Sequence, residues 1–164
     1  MKTSLKIALA CATVAVVAVG FNYFGAAAPM PTAQAMTTLA GKNIKIDDFK
    51  GKVVLVNFWA TSCSGCMAEM PGLVKAQQTL GKDKLATIAV AMSYDNPEYI
   101  QNYLNKVPLP FEVVHDQSGE IAKAFGEVQL TPTSFILGKD GRLMKKIIGE
   151  LSEAELVQLV NNAS

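Results

Sequence analysis

Five apolar runs after residue 50 predict the strands of a sheet. They are residues 53–58, 85–92, 111–114, 133–137 and 143–148. Short apolar runs that are bounded by turn residues are typical of strands buried in a core. The turn at residues 139–141 predicts that the last two strands form a hairpin. A polar–apolar alternation at residues 43–46 predicts an additional edge strand.

Helical segments alternate with these strands. They are expected at residues 64–80, after the cap Asn96, at residues 118–125 and from about Ser152 onward. Pro71 is expected to kink the first helix, and Glu155 is expected to complete a capping box with Ser152. This alternation, followed by a hairpin and a last helix, predicts an α/β fold with a mixed central sheet and helices on both faces.

The N-terminal region has the pattern of an export segment. Lys2 and Lys6 precede an uncharged apolar stretch, residues 7–24, which is about long enough to span a bilayer. We expect an uncleaved anchor in the inner membrane, with both lysines in the cytoplasm. The alternative is a signal peptide that is removed at the small-x-small site of residues 33–35, which would release a secreted protein.

The composition indicates one globular domain behind this segment. Half of the 164 residues are hydrophobic, and the formal net charge is only +1. We therefore divide the chain into a signal or membrane-anchor segment with its linker, residues 1–35, and a folded domain, residues 36–164. The charge gives no basic surface for nucleic acid, so a nucleic-acid partner is not expected.

The strongest chemical feature is the pair Cys63 and Cys66, which lies where the first buried strand gives way to the first helix. The first turn of a helix has unpaired N–H groups and the positive end of the helix dipole. A thiolate there is stabilised, so that its pKa can fall from about 8.5 to roughly 3.5–7.5. Cys-x-x-Cys at such a junction predicts a redox-active disulfide.

Three other uses of the pair are less favoured. A zinc site needs two more ligands, but the chain holds only His115 and Cys11 besides the pair, and Cys11 lies in the apolar segment. Covalent haem attachment needs a histidine directly after Cys66, where Met67 stands. A disulfide that closes so short a loop removes little chain entropy, so a purely structural role explains it poorly. We expect no metal and no cofactor.

Several motifs around the pair occur together in one known family. Val-Asn-Phe-Trp-Ala-Thr precedes the cysteines, Glu69 and Pro71 follow them, and Leu-Thr-Pro-Thr at residues 130–133 leads into a strand. With the order of elements, these motifs resemble the TlpA/ResA-like branch of the thioredoxin superfamily, over roughly residues 39–162. Members of this branch are membrane-tethered or secreted thiol-disulfide oxidoreductases of bacteria.

The resemblance implies a thioredoxin fold with N-terminal and central insertions, and it implies roles for single residues. Cys63 is expected to be the exposed attacking thiolate and Cys66 the buried resolving thiol. Pro132 is expected to form a cis peptide bond beside the disulfide, so that Thr131 presents its backbone to an extended substrate segment. Ser62 is expected to contribute a small, polar rim for substrate docking.

Glu69 is expected to work with the cysteines. It lies three residues after Cys66, one turn along the same side of the helix, where a partly buried carboxyl group has a raised pKa and can exchange its proton. Classical thioredoxins carry a buried aspartate at the position of Asn57, so this chain needs another acid. Trp59 is expected to pack at the edge of the site and to contact substrate.

The predicted function is an extracytoplasmic enzyme that reduces disulfides in exported proteins, such as apocytochromes or metal-site precursors. In the oxidising periplasm its dithiol stays reduced only if electrons are supplied, so a membrane thiol-electron transporter is the expected partner of a monomeric enzyme. The alternatives are a disulfide-forming oxidant and a copper-binding chaperone for oxidase assembly, in which His115 would join the cysteines. We expect His115 to be an ordinary strand-end residue.

Overall fold

The computed structural model describes residues 30–163, so the apolar segment 7–24 lies outside the described part. The strands are β1 (Met36–Thr37), β2 (Asn43–Ile44), β3 (Val53–Trp59), β4 (Leu85–Ala91), β5 (Glu112–His115), β6 (Thr133–Leu137) and β7 (Leu143–Ile148). The helices are α1 (Ser64–Leu80), α2 (Pro97–Lys106), α3 (Glu120–Ala124) and α4 (Glu153–Asn162). Each predicted segment is therefore present, with its bounds moved by a few residues at most.

Five strands form the central sheet in the order β5-β4-β3-β6-β7. β3 pairs in parallel with β4, and β4 pairs in parallel with β5. β6 runs antiparallel to both β3 and β7, so the expected hairpin of the last two strands is present. The sheet is mixed, as predicted, and the carboxyl ends of its three parallel strands lie at one edge.

The sheet separates two hydrophobic cores. Successive side chains of β3 point to opposite faces, because side chains alternate along a strand. Val56 and Phe58 enter the core beneath α3, where Phe58 packs edge-on against Phe125 with ring centroids 5.3 Å apart. Leu55 and Trp59 enter the other core, which α1, α2 and α4 cover. Helices therefore cover both faces, which confirms the predicted class.

Two local predictions are wrong. The expected strand 43–46 ends at Ile44, since Lys45 N–H donates to the Asp48 carboxylate (2.8 Å) and residues Ile46–Phe49 form a 3₁₀ helix. Ser152 does cap α4 by accepting from Glu155 N–H (3.2 Å). The Glu155 carboxylate, however, lies 2.7 Å from Lys145 Nζ on β7, so it forms an ion pair where a capping box was expected.

The N-terminal residues of the described part already belong to the folded unit. Met30 packs against the core beneath α3, and the Thr32 carbonyl accepts a hydrogen bond from Asp47 N–H (3.1 Å). Both residues were expected in the linker of residues 1–35. Within residues 30–163, no helix has the length and the apolar composition needed to cross a bilayer.

Candidate active site

Cys63 and Cys66 form a disulfide at the start of α1. Cys63 is the N-cap residue of this helix, and its Sγ accepts a hydrogen bond from Cys66 N–H (3.1 Å). Cys66 has no exposed surface, whereas Cys63 is partly exposed. Only Cys63 therefore offers a sulfur to which a protein partner has direct access.

The start of α1 favours negative charge on the Cys63 sulfur. The first turn carries no acidic side chain, and the sulfur takes the position where an N-cap oxygen usually accepts from the helix. In the reduced protein, a thiolate at this position would be stabilised by the same N–H groups and by the helix dipole. The first turn of α1 contains no lysine or arginine. The backbone N–H groups and the helix dipole therefore provide the stabilisation of the thiolate there.

The loop before β6 approaches the same helical turn. The Thr131–Pro132 peptide bond is cis, as the resemblance implied. Pro132 is buried, and a Cβ atom added to Gly65 would lie 3.5 Å from Pro132 Cδ. Pro132 therefore packs beside the helical turn that carries the disulfide.

Glu69 is buried on α1 and holds two hydrogen bonds. Its Oε1 accepts from Asn57 Nδ2 (2.8 Å), and its Oε2 accepts from Leu151 N–H (2.8 Å). Burial raises the pKa of Glu69, and these two hydrogen bonds oppose the rise because they stabilise the carboxylate. The nearby negative charge of Glu150 adds to the rise in this pKa. The structure therefore gives Glu69 the direction of pKa shift that the sequence predicted.

Asn57 links Glu69 to β6. Its Nδ2 also donates to Ser134 Oγ (3.0 Å), while its Oδ1 is buried without a partner among the described residues. The position on β3 that carries an acid in classical thioredoxins is thus in direct contact with the acid on α1.

Asp95, on the loop between β4 and α2, also contributes to the site and was not among the predicted residues. This buried carboxylate accepts from Thr61 N–H (2.7 Å) and from Thr61 Oγ1 (2.6 Å), two residues before Cys63. It therefore holds the active-site loop against the end of β4. Its position directly before the helix cap Asn96 gave no indication of this contact, because the partners are far apart in sequence.

The expectation that Trp59 contacts substrate is wrong. Its side chain has no exposed surface and packs against Tyr103, with ring centroids 5.5 Å apart, so it supports the site from within the core. Ser62 is exposed beside Cys63, and Thr131 is partly exposed.

Two further exposed residues, Tyr94 and Leu130, border the site, and neither was predicted from the sequence. Tyr94 is 59% exposed, and its hydroxyl lies 3.2 Å from Thr131 Oγ1. Leu130, the neighbour of Thr131, is 63% exposed. Together they form an apolar border next to Pro132, a type of surface that binds protein segments well.

His115 is the last residue of β5 and pairs with Ala91 of β4, as expected for a strand-end residue. No three His, Cys, Asp or Glu side chains in residues 30–163 lie close enough together to hold a metal ion. The ligand set that a copper site would need is therefore not assembled in the described part of the chain.

Comparison with known proteins agrees with this geometry. A family model described as Redoxin matches residues 25–160, which is most of the chain. The chain belongs to the Redoxin family. A thiol-disulfide oxidoreductase ResA of Bacillus thuringiensis subsp. konkukian is 38% identical over 122 residues, covering 74% of this chain and 69% of the relative.

Solved structures of similar proteins share the fold. A thiol:disulfide interchange protein of the thioredoxin family from Chlorobium tepidum matches with a TM-score of 0.74 and 28% identity, over 84% of this chain and 98% of that one. StoA from Bacillus subtilis matches with a TM-score of 0.69 and 27% identity, over 79% of this chain and 98% of that one. The predicted resemblance is confirmed: the protein is a thiol-disulfide oxidoreductase of the ResA/StoA type with a thioredoxin fold.

Proposed function

We propose that this oxidoreductase works outside the cytoplasm and reduces disulfides in exported proteins, such as apocytochromes or metal-site precursors. The observation that carries the proposal is the asymmetry of the redox pair: Cys63 is partly exposed, whereas Cys66 is enclosed near the buried acid Glu69. An exchange enzyme needs one sulfur that meets the substrate and one that acts only afterwards.

The proposed reaction consists of two exchanges. The Cys63 thiolate attacks a substrate disulfide, forms a mixed disulfide and releases one substrate sulfur as a thiolate. Cys66 then loses its proton and attacks the Cys63 sulfur, which closes the Cys63–Cys66 disulfide and releases the second substrate sulfur. The substrate gains two electrons, and the enzyme loses two.

Glu69 and the Pro132 loop have supporting roles in this proposal. Glu69 takes the proton that Cys66 loses, since a buried carboxyl group with a raised pKa exchanges protons closer to neutral pH than an exposed one. The backbone of Thr131 beside Pro132 holds an extended substrate segment, and Ser62 borders the exposed sulfur on the other side.

The size of the region between α1 and Pro132 supports the proposed direction of exchange. Periplasmic oxidants of this superfamily usually carry a large helical insertion there, whereas this region holds only β4, α2, β5 and α3. We propose that a membrane thiol transporter supplies the electrons, because an oxidising compartment does not keep such a dithiol reduced.

The proposed location depends on the first 35 residues. We propose that residues 7–24 anchor the protein in the inner membrane, with the folded domain in the periplasm; removal of the segment would give a secreted domain instead. Fractionation of cells that produce the full chain distinguishes the two, because anchored protein stays with membranes after a high-salt wash.

Two measurements test the proposed reaction. Equilibration with glutathione should give a potential of about −250 mV or lower for the Cys63–Cys66 pair, whereas a value near that of a strong oxidant, about −120 mV, would reverse the proposed direction. Cys63→Ser should abolish turnover, while Cys66→Ser should accumulate the mixed disulfide on non-reducing gels. Equal loss without trapped complex would contradict the division of roles.

A further inference from the structure

The segment Gly149–Leu151, which we call the closing segment, lies across the active site between β7 and α4. Gly149 N–H donates to the Pro132 carbonyl (2.8 Å), and Leu151 N–H donates to Glu69 Oε2 (2.8 Å). The closing segment is thus held at both ends by groups of the site. Glu150, between these two bonds, is exposed.

The Glu150 side chain lies over the first turn of α1. A Cβ atom added to Gly65 would lie 3.1 Å from Glu150 Oε1 and 3.5 Å from its Cγ. Gly65 is one of the two residues between the cysteines, so the carboxylate reaches the same helical turn that carries Cys63 and Cys66. It forms no ion pair with any lysine or arginine of residues 30–163.

We propose that Glu150 is a tuning residue: its charge disfavours the Cys63 thiolate and thereby makes the reduced Cys63–Cys66 pair a better electron donor. The Glu150 carboxylate lies beside the helical turn that carries Cys63, and like charges at short distance repel. A reduced form that is less stable gives up its electrons more readily. The proposal rests on the proposed function, in which Cys63 is the attacking thiol.

The other titratable groups at this edge of the sheet do not replace Glu150. Glu69 is buried, and the two carboxylate oxygens of Asp95 accept hydrogen bonds from Thr61. The remaining groups, Tyr94 and His115, are not carboxylic acids. Glu150 is therefore the exposed negative charge nearest to the first turn of α1 among the groups named. Its influence already extends to Glu69, whose pKa it helps to raise.

The expected effect is modest, because water and salt screen an exposed charge. Exposed charge pairs are worth about 0.2–1 kcal/mol, which corresponds to roughly a 1.4-fold to fivefold change in the thiolate fraction below its midpoint. The effect should nearly vanish at about 1 M salt, where the screening length is roughly 3 Å.

Glu150→Gln tests the proposal, because the amide keeps the shape and removes the charge. In the reduced full chain, the alkylation rate of Cys63 by iodoacetamide at a pH below its midpoint should rise about 1.4-fold to fivefold. At a pH above that midpoint, where the reduced form carries the thiolate, the glutathione equilibrium should shift towards the reduced protein by the same factor. Glu150→Lys should shift both values further in the same direction. Asp83→Asn, an exposed acid at the opposite end of the sheet, is the control and should leave both unchanged.

Three outcomes would overturn the proposal. In the first, Glu150→Gln has the wild-type alkylation rate and glutathione equilibrium. In the second, the change in these two values persists at about 1 M salt. In the third, the change disappears when Glu69→Gln is also present. The last outcome would mean that Glu150 acts only through Glu69. These readouts come from the thiol itself, so they are separate from the proposed function, which fails if Cys63→Ser retains turnover.

Discussion

Glu69 makes the stability of the oxidised domain depend on pH. Burial raises its pKa in the folded protein above the ordinary value of 4.5, so the folded state holds this proton at pH values where the unfolded state has lost it. The free energy of unfolding should therefore fall as pH rises from about 4.5 through the raised pKa. Urea unfolding at a series of pH values measures this slope.

Glu69→Gln should flatten the pH dependence and keep the fold. A glutamine can still accept from Leu151 N–H, and its amide can donate to Asn57 Oδ1, which has no partner now, once the Asn57 amide rotates. Asp83→Asn serves as the control, because Asp83 is exposed and should leave the slope as it is. If Glu69→Gln kept the wild-type pH dependence of the free energy of unfolding, the protonation of Glu69 would not differ between the folded and unfolded states.

Asp95 should matter for both stability and exchange. Asp95→Ala leaves Thr61 N–H and its hydroxyl without their acceptor, and the loss of such buried hydrogen bonds costs about 1–3 kcal/mol. The loop that carries Cys63 should also become less ordered, so the exchange rate should fall. Urea unfolding and a turnover assay measure the two effects, with Asp83→Ala as the control; unchanged values would make the Thr61 contact dispensable.

The residues of the site differ in how far sequence could predict them. Cys63, Cys66 and Glu69 belong to one helix, so their spacing alone places them on neighbouring turns. Asp95 and Glu150 come from other loops, and only the packing of those loops against α1 brings them to the site. Trp59 was placed wrongly for the same reason: the sequence did not show that Tyr103 of α2 covers it.

At the scale of elements, the start of α4 should contribute to stability through one side chain. Ser152→Ala removes the oxygen that accepts from Glu155 N–H, and loss of an N-cap typically costs about 1 kcal/mol. Because Leu151 N–H donates to Glu69 just before this cap, the variant should also weaken the closing segment. Ser118→Ala is the matched control, since its oxygen lies 3.4 Å from Glu120 N at an exposed turn; equal urea midpoints for both variants would contradict the capping role.

The strands and helices were predictable because hydrophobic runs and caps are local patterns. β3 and β4 are apolar nearly throughout, and Asn96 accepts from Glu98 N–H (2.8 Å) at the start of α2, as the Asn-Pro pair indicated. The capping box failed because Lys145, on β7, attracts the Glu155 carboxylate. The residue pattern around Ser152 cannot predict such an ion pair, because its partner Lys145 lies on a different element.

At the scale of the whole molecule, the folded unit should need residues before Met36. A chain that begins at Met36 lacks the packing of Met30 and the hydrogen bond from Asp47 N–H to the Thr32 carbonyl. Loss of one half-buried side chain and one hydrogen bond should cost about 1–3 kcal/mol relative to a chain that begins at Met30. Urea midpoints of the two chains measure the difference. Equal midpoints would mean that the folded domain begins at residue 36.

The closing segment has a mechanical consequence. The proposed function places a substrate segment beside Pro132, whose carbonyl accepts a hydrogen bond from Gly149 N–H. Two residues further along the same backbone, Leu151 N–H donates to the Glu69 carboxyl group. In the proposed reaction, substrate binding at Pro132 and proton exchange at Glu69 would therefore be linked through three consecutive residues, Gly149–Leu151.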